Sequence, residues 1–409
     1  METPAELWPC LTHDLPGIGG KVRECKEDFF VEEVPLYTPS GSGTHLYLLI
    51  EKQGSSTFEA VGKLAKALDR KTAEFGFAGL KDSDAVTRQY ISIEHVSKET
   101  VENLHLEKIK ILEATFHQNK LKIGHLKGNR FKILIRNPVP DALQKARPIV
   151  DRIQEIGMPN FFGPQRFGLF GNTHLLGRAI LKKDFKSFVD ILVCTPRTEA
   201  GFDYDEIITC YKNKDYEGAS ARLGRRYKYE SKVLRSLAHR PDRFDKAVAG
   251  IDKKMLQFYY SAFQSDLFNR YLIRRLSRIH LIEAGDIAFI HRNGASFLVE
   301  SVEQESPRVQ NFEISASGPV FGSKMLRAHG DPGQLEAELL KESGFELEEI
   351  KGMFGIRLRG ARRPLRVPIH ECSLEEKEEG LLLSFFLPLG SYATVILHEI
   401  MKNEYDRLM

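Results

Sequence analysis

The sequence predicts an α+β protein with a mostly helical insertion, on three observations. The first 185 residues alternate strand-like and helical patterns, the stretch 186–366 shifts toward helix, and the last 40 residues return to one strand and one helix. A short C-terminal strand and helix make no domain of their own, so they are expected to complete the sheet begun in 1–185. The expected divisions are 1–185, 186–366 and 367–409, with the two ends forming one domain. With 409 residues, 42% hydrophobic and 28% charged, the chain is neither disordered nor of low complexity, and it can bury a large core without covalent staples.

Taken in order, His45 to Lys52 (HLYLLIEK) reads as a strand. Ser56-Thr57-Phe58-Glu59 then matches a capping box, and Phe58, Val61, Leu64 and Leu68 carry helical spacing. Phe75 to Ala78 is a short apolar piece and TRQYISI a second extended one, which places Asp82 in the loop GLKDSDA between them. Lys120 to Arg136 contains LKIGHL and FKILIR around Lys-Gly-Asn, the pattern of a hairpin with basic residues outside. Asp141 to Ile156 reads as a helix. In the middle, Ser187 to Val193, Glu217 to Leu237 and Gln257 to Ile279 have helical spacing, and Asp286 to Ile290 pairs naturally with Ser296 to Val299 across Arg-Asn-Gly. Gly380 to Leu397 is 18 residues without a charge, but Pro388 and Gly390 divide it into a strand-length run and an amphipathic helix rather than a membrane span.

Five widely spaced cysteines with no C-x-x-C argue against a disulfide scaffold and a structural zinc site, and METPAELWPC lacks the features of a signal peptide. A cytoplasmic protein is expected. The net charge, 59 basic against 56 acidic residues, is only +3, yet the basic residues cluster. His117 to Arg136 holds six Lys/Arg and no acid, Arg222 to Arg240 seven against Glu230 alone, and Lys351 to His370 six and no acid. Such stretches, interleaved with aromatics, suit a phosphate backbone, and Arg225 and Arg226 are candidates for that contact.

Gly79-Leu-Lys81-Asp82-Ser-Asp-Ala85-Val-Thr87-Arg-Gln89 alone is an ordinary turn. Combined with Pro159-Asn160-Phe161-Phe162-Gly163-Pro-Gln165-Arg166-Phe167-Gly168, it resembles the TruD family of pseudouridine synthases. The likeness extends to Glu27 to Glu33, Leu121 to Phe131, Ser261-Ala262 with Leu267-Phe268-Asn269, and Leu387 to Thr394, in order along nearly the whole chain. The resemblance implies a catalytic domain on a mixed, largely antiparallel sheet, interrupted by the family's insertion, with RNA between the two. It implies isomerisation of a tRNA uridine, at position 13 of the D arm, without cofactor or metal, by a monomer; other RNAs are further possible substrates.

By the same resemblance, Asp82 is the catalytic aspartate, acting as a nucleophile at C1′ or as a base at C2′. Asn160 orients it or bonds the nucleotide, and Phe162 stacks on the uracil, with Phe161 and Phe167 left to the core. The cation beside Asp82 falls at Arg23, where some members carry Lys, with Lys21 and Lys26 close enough to compete. Lys81 and Arg166 contact phosphate or buttress the motif, and Lys122, Lys127 and Arg130 contact the RNA backbone. Two other readings remain: an RNA-remodelling protein on the same fold, and a glycosylase, which the lack of a second matched acid disfavours.

Overall fold

A computed structural model describes residues 8–197, 203–224 and 227–403. By their contacts they form two units, one from Cys10–Asn160 and the chain from Val367, the other from Phe161–Arg366 with Trp8 and Pro9.

The first unit is built on a sheet in the order His370–Lys377, Gly380–Pro388, Leu126–Arg136, Phe29–Pro35, Val86–Glu94, His45–Gln53, Ile109–His117, with the two-residue strand Gly76–Phe77 also on Val86–Glu94. All pairs are antiparallel except Phe29–Pro35 with Val86–Glu94. That exception matters for function. Because these two strands run side by side with Phe30 opposite Val86, the segments that lead into them meet at one end of the sheet. His45–Gln53 runs the other way and places Lys52 opposite Thr87, so its last residues reach the same end.

Helix Thr57–Ala67 starts at the expected capping box, with the Ser56 hydroxyl accepting from the Glu59 amide and the Glu59 carboxylate accepting from the Ser56 amide. Ala60, Val61, Leu64 and Ala65 pack on Leu46, Leu48, Ile50, Ile91 and Ile93. Burying such side chains contributes about 1.5–3 kcal/mol for each large aliphatic one. Phe58 departs from the expected stripe and is exposed. Helix Ala142–Ile156 follows as the pattern requires.

Two sequence expectations are corrected here. Leu126–Arg136 is one continuous strand rather than the second half of a hairpin, paired on both sides. Gly128 serves close approach instead of a turn, since a Cβ there would sit 2.1 Å from the Leu387 carbonyl oxygen. The C-terminal helix, Ala393–Met401, is buried on every side and not amphipathic. Its Glu399 accepts hydrogen bonds from the amides of Leu11 (2.7 Å) and Thr12 (3.1 Å) and from the Thr12 hydroxyl (2.7 Å), which satisfies a buried acid and ties down the start of the unit. Gly380–Pro388 is a strand with alternate residues buried, and no described helix is long and apolar enough to cross a membrane.

The second unit is mainly helical. Its longest helix, Lys253–Arg275, is approached closely by Thr173–Leu181 because Gly177 has no side chain to strike the Tyr259 carbonyl. The stretch 217–237 divides between helices Tyr216–Arg222 and Lys228–His239. A four-stranded antiparallel sheet, in the order Ala361–Pro364, Ile314–Val320, Ile287–Ile290, Ser296–Leu298, includes the expected hairpin. The unit begins at Phe161, earlier than the compositional shift near 186, because the helix Thr173–Leu181 packs on Lys253–Arg275.

Arg275 and Asp286 form a fully buried bidentate pair at 2.8 and 3.0 Å. Asp286→Ala leaves the buried guanidinium with the longer contacts to Glu283 (3.7 Å) and the Tyr271 hydroxyl (3.4 Å), and is expected to cost about 3 kcal/mol in chemical unfolding. An unfolding midpoint equal to wild type would contradict this.

Candidate active site

Three segments converge at the end of the sheet described above. The loop before Val86–Glu94 carries Asp82, whose side chain is 49% exposed. From the segment before Phe29–Pro35, Arg23 donates from Nη2 to Asp82 Oδ2 at 2.9 Å. The Arg23 guanidinium also lies 4.1 Å from the centre of the Phe29 ring, which fixes its position. Arg23 holds a left-handed backbone, φ 63°, unusual for a residue with a side chain and costly enough that it persists only where surrounding contacts impose it.

Of Lys21, Arg23 and Lys26, Arg23 is the one whose side chain pairs with Asp82. Lys21 pairs instead with Glu24 at 3.6 Å, and the Lys26 amine lies over Gly54.

The third segment supplies a group that the sequence reading missed. Lys52, at the end of His45–Gln53, is 1% exposed and donates from Nζ to the backbone carbonyls of Asp82 (2.9 Å) and Ser55 (2.5 Å). Burial pulls its pKa down to about 8, against the opposing pull of Asp82, with Lys81 lowering it further and Glu59 raising it. A signal was present. Lys52 is in phase with Leu46, Leu48 and Ile50 on the inward face of its strand, where a lysine needs a reason.

The loop itself is braced from below. Lys81 turns inward and forms a buried ion pair with Glu33 at 2.9 Å, so it buttresses the loop and is not presented to phosphate. Glu33 is likewise in phase with the buried Phe29 and Val31. The Thr57 hydroxyl accepts from the Lys81 amide at 2.9 Å and donates to Oε1 of the buried Gln89 at 3.0 Å, linking two residues of the motif. Asp82 is thus the polar tip of a rigid support. Asn160, of the same unit, is buried.

Lys122 and Lys127 are exposed. Arg130 is exposed too, but forked onto Glu371 at 2.6 and 3.1 Å, which neutralises it locally. Arg225 and Arg226 lie outside the described residues.

In the helical unit, Phe162 is buried, its amide and carbonyl clamped by Asn269 at 2.9 and 3.0 Å. Its ring has the Arg363 guanidinium at 4.0 Å and that of Arg166 at 5.2 Å, with Phe268 edge-on. Arg166 therefore supports the ring. Phe161 stacks on Trp8 at 4.8 Å, and Phe167 is buried beside His174, so both belong to the core.

Residues 8–400 match the sequence profile of tRNA pseudouridine synthase D (TruD). The chain belongs to the TruD family. It is 44% identical over 393 residues to the tRNA pseudouridine synthase D of Geobacter sulfurreducens, covering 96% of each chain. The TruD enzyme of Thermus thermophilus is 39% identical over 402 residues, 98% of this chain and 93% of its own. A TruD crystal structure from Methanosarcina mazei superposes with a TM-score of 0.84 at 26% identity, covering all of both chains. The mixed, mostly antiparallel sheet with a helical unit inserted is thus a TruD architecture.

Proposed function

We propose that this chain isomerises a uridine of tRNA to pseudouridine in the cytoplasm, at position 13 of the D arm, as a monomer and without a cofactor. The observation that carries the reading is the Arg23–Asp82 pair, a carboxylate held by a guanidinium at the exposed tip of a braced loop. The reaction breaks N1–C1′, turns the uracil, and joins C5 to C1′; C5 gives up its proton and N1 gains one. Nothing is hydrolysed, so the site needs a positioned carboxylate and exclusion of water rather than a second acid to activate water.

Asp82 acts on the ribose, at C1′ as nucleophile or at C2′ as base. Arg23 orients it through the 2.9 Å pair, since a guanidinium offers a fixed fork where an ammonium offers a point charge. Lys52 holds the loop from behind through the Asp82 carbonyl. Asn160 orients the carboxylate or bonds the target nucleotide, and the stacking role that the family motif implies for Phe162 requires the Arg363 guanidinium to leave the buried ring it now covers. Exposed Lys122 and Lys127 meet the phosphate backbone, which gives binding a steep salt dependence.

The experiment is tritium release from unmodified tRNA made with C5-tritiated uridine, followed by mapping of the product. Release with a single pseudouridine at position 13 supports the reading. Tight, salt-dependent binding without release would replace it with an RNA-remodelling role, and free uracil would replace it with a glycosylase.

A further inference from the structure

Single large apolar side chains in solvent need no explanation, whereas several gathered on one functional loop do. In the sheet unit, Phe58, Leu80 and Ile123 are 64%, 60% and 69% exposed, and all three border the loop that carries Asp82. Phe58 opens helix Thr57–Ala67, next to the hydroxyl that accepts from the Lys81 amide, and its ring meets Phe77 edge-on at 5.8 Å. Ile123 lies in the turn closed by His125 N to Lys122 O at 3.0 Å, which is fastened to the same loop by Gly124 N to Ala78 O at 2.8 Å. Leu80 lies on the loop itself, between Ala78 and Lys81, the two residues to which those segments are bonded. Residues 80–82 run without a bend, and burial alternates: Leu80 out, Lys81 in, Asp82 out. Leu80 and Asp82 are thus both exposed, with the buried Lys81 between them.

Lys122 is exposed next to Ile123, while the acids Glu59, Asp82 and Asp84 are exposed beside Phe58 and along the loop. Apolar faces for flat rings beside a cation for phosphate are complementary to unpaired nucleotides. The reaction also creates a need for them. Asp82 must reach the sugar of a uridine taken out of its stack, which leaves the faces of both neighbouring bases uncovered, and those faces come closest to the protein beside Asp82.

We propose that Leu80, flanked by Phe58 and Ile123, packs against the bases that neighbour the target uridine and fills the gap that the uridine vacates. This rests on the isomerase reading and adds the way in which the target is extruded. Leu80 holds the opened strand, while Phe58 and Ile123 extend the platform on either side.

The test uses the full chain and tRNA with 2-aminopurine beside the uridine that the wild type converts. In an Asp82→Asn background, binding should raise the 2-aminopurine fluorescence as its stacking partner leaves, and adding Leu80→Ala should abolish the rise at saturating protein. As a single change, Leu80→Ala should lower kcat/KM about tenfold. Leu80→Met should restore most of that loss, and Leu112→Ala, an exposed change on the outer strand, should leave it intact. Phe58→Ala provides a second reading of the platform with a smaller loss. Leu80 is exposed, so thermal unfolding should not move. If the wild type makes no pseudouridine, the isomerase reading fails and this inference with it. If the wild type is active and Leu80→Ala matches it in turnover or in fluorescence, the platform alone is overturned.

Discussion

Asp82→Asn should abolish turnover, by on the order of 10³–10⁴-fold or more in kcat, while leaving tRNA affinity within about threefold of wild type. The asparagine preserves shape and the chance to accept a hydrogen bond from Arg23, so it removes charge and basicity and little else. Stability should change by less than about 1 kcal/mol, because Asp82 is half-exposed and its bond to Arg23 is open to solvent screening. Asp82→Glu separates position from charge: one extra methylene moves the carboxylate off a support fixed by Lys81–Glu33 and Thr57, and should cost about 10²-fold. Single-turnover assays with filter binding and thermal melts check all three quantities. Undiminished turnover by Asp82→Asn would remove Asp82 from the chemistry.

The parts of this site that were legible in the sequence are those whose causes are local. The Ser56–Glu59 capping box, the strand HLYLLIEK and the loop position of Asp82 each follow from a few neighbouring residues, and all three stand in the structure. Where the cause is distant, local signals misled. Lys-Gly-Asn reads as a turn, but the glycine answers to the backbone of Leu387, more than 250 residues away. HEIMK reads as the edge of an amphipathic helix, yet Glu399 is buried because the backbone of Leu11 and Thr12 needs an acceptor. Phe58 fits the helical stripe by spacing and is excluded from the core by the direction in which the first turn faces. Lys52 and Glu33 were hidden for a different reason: their inward phase marks them, but only the pairing of the strands shows that their partners belong to the Asp82 loop.

The rate of wild type should fall as pH rises through about 8, and Lys52→Met should lack that limb, being slow and flat on both sides of it. The argument starts from the Lys52 ammonium, which at neutral pH donates to the Asp82 carbonyl and adds a positive charge beneath the carboxylate. Its pKa is lowered to about 8 by burial, with Lys81 adding to the fall and Asp82 and Glu59 opposing it. Lys26 also lies nearby, over Gly54. Above that pH the charge is lost, the carbonyl loses a charged donor, and Asp82 is left with Arg23 alone. Stability moves in the opposite direction. Between about 8 and the ordinary lysine range near 10.5, the unfolded chain still binds the proton that the folded chain has released, so this group's contribution to the free energy of unfolding rises with pH. Below about 8 both states are protonated, and the folded state carries the full cost of a buried cation. A lysine retained only for packing would show the stability trend without the kinetic one. Parallel pH series of single-turnover rates and urea midpoints, for wild type and Lys52→Met, distinguish the two, and a wild-type rate that stays level from pH 7 to 9.5 would assign Lys52 to the scaffold.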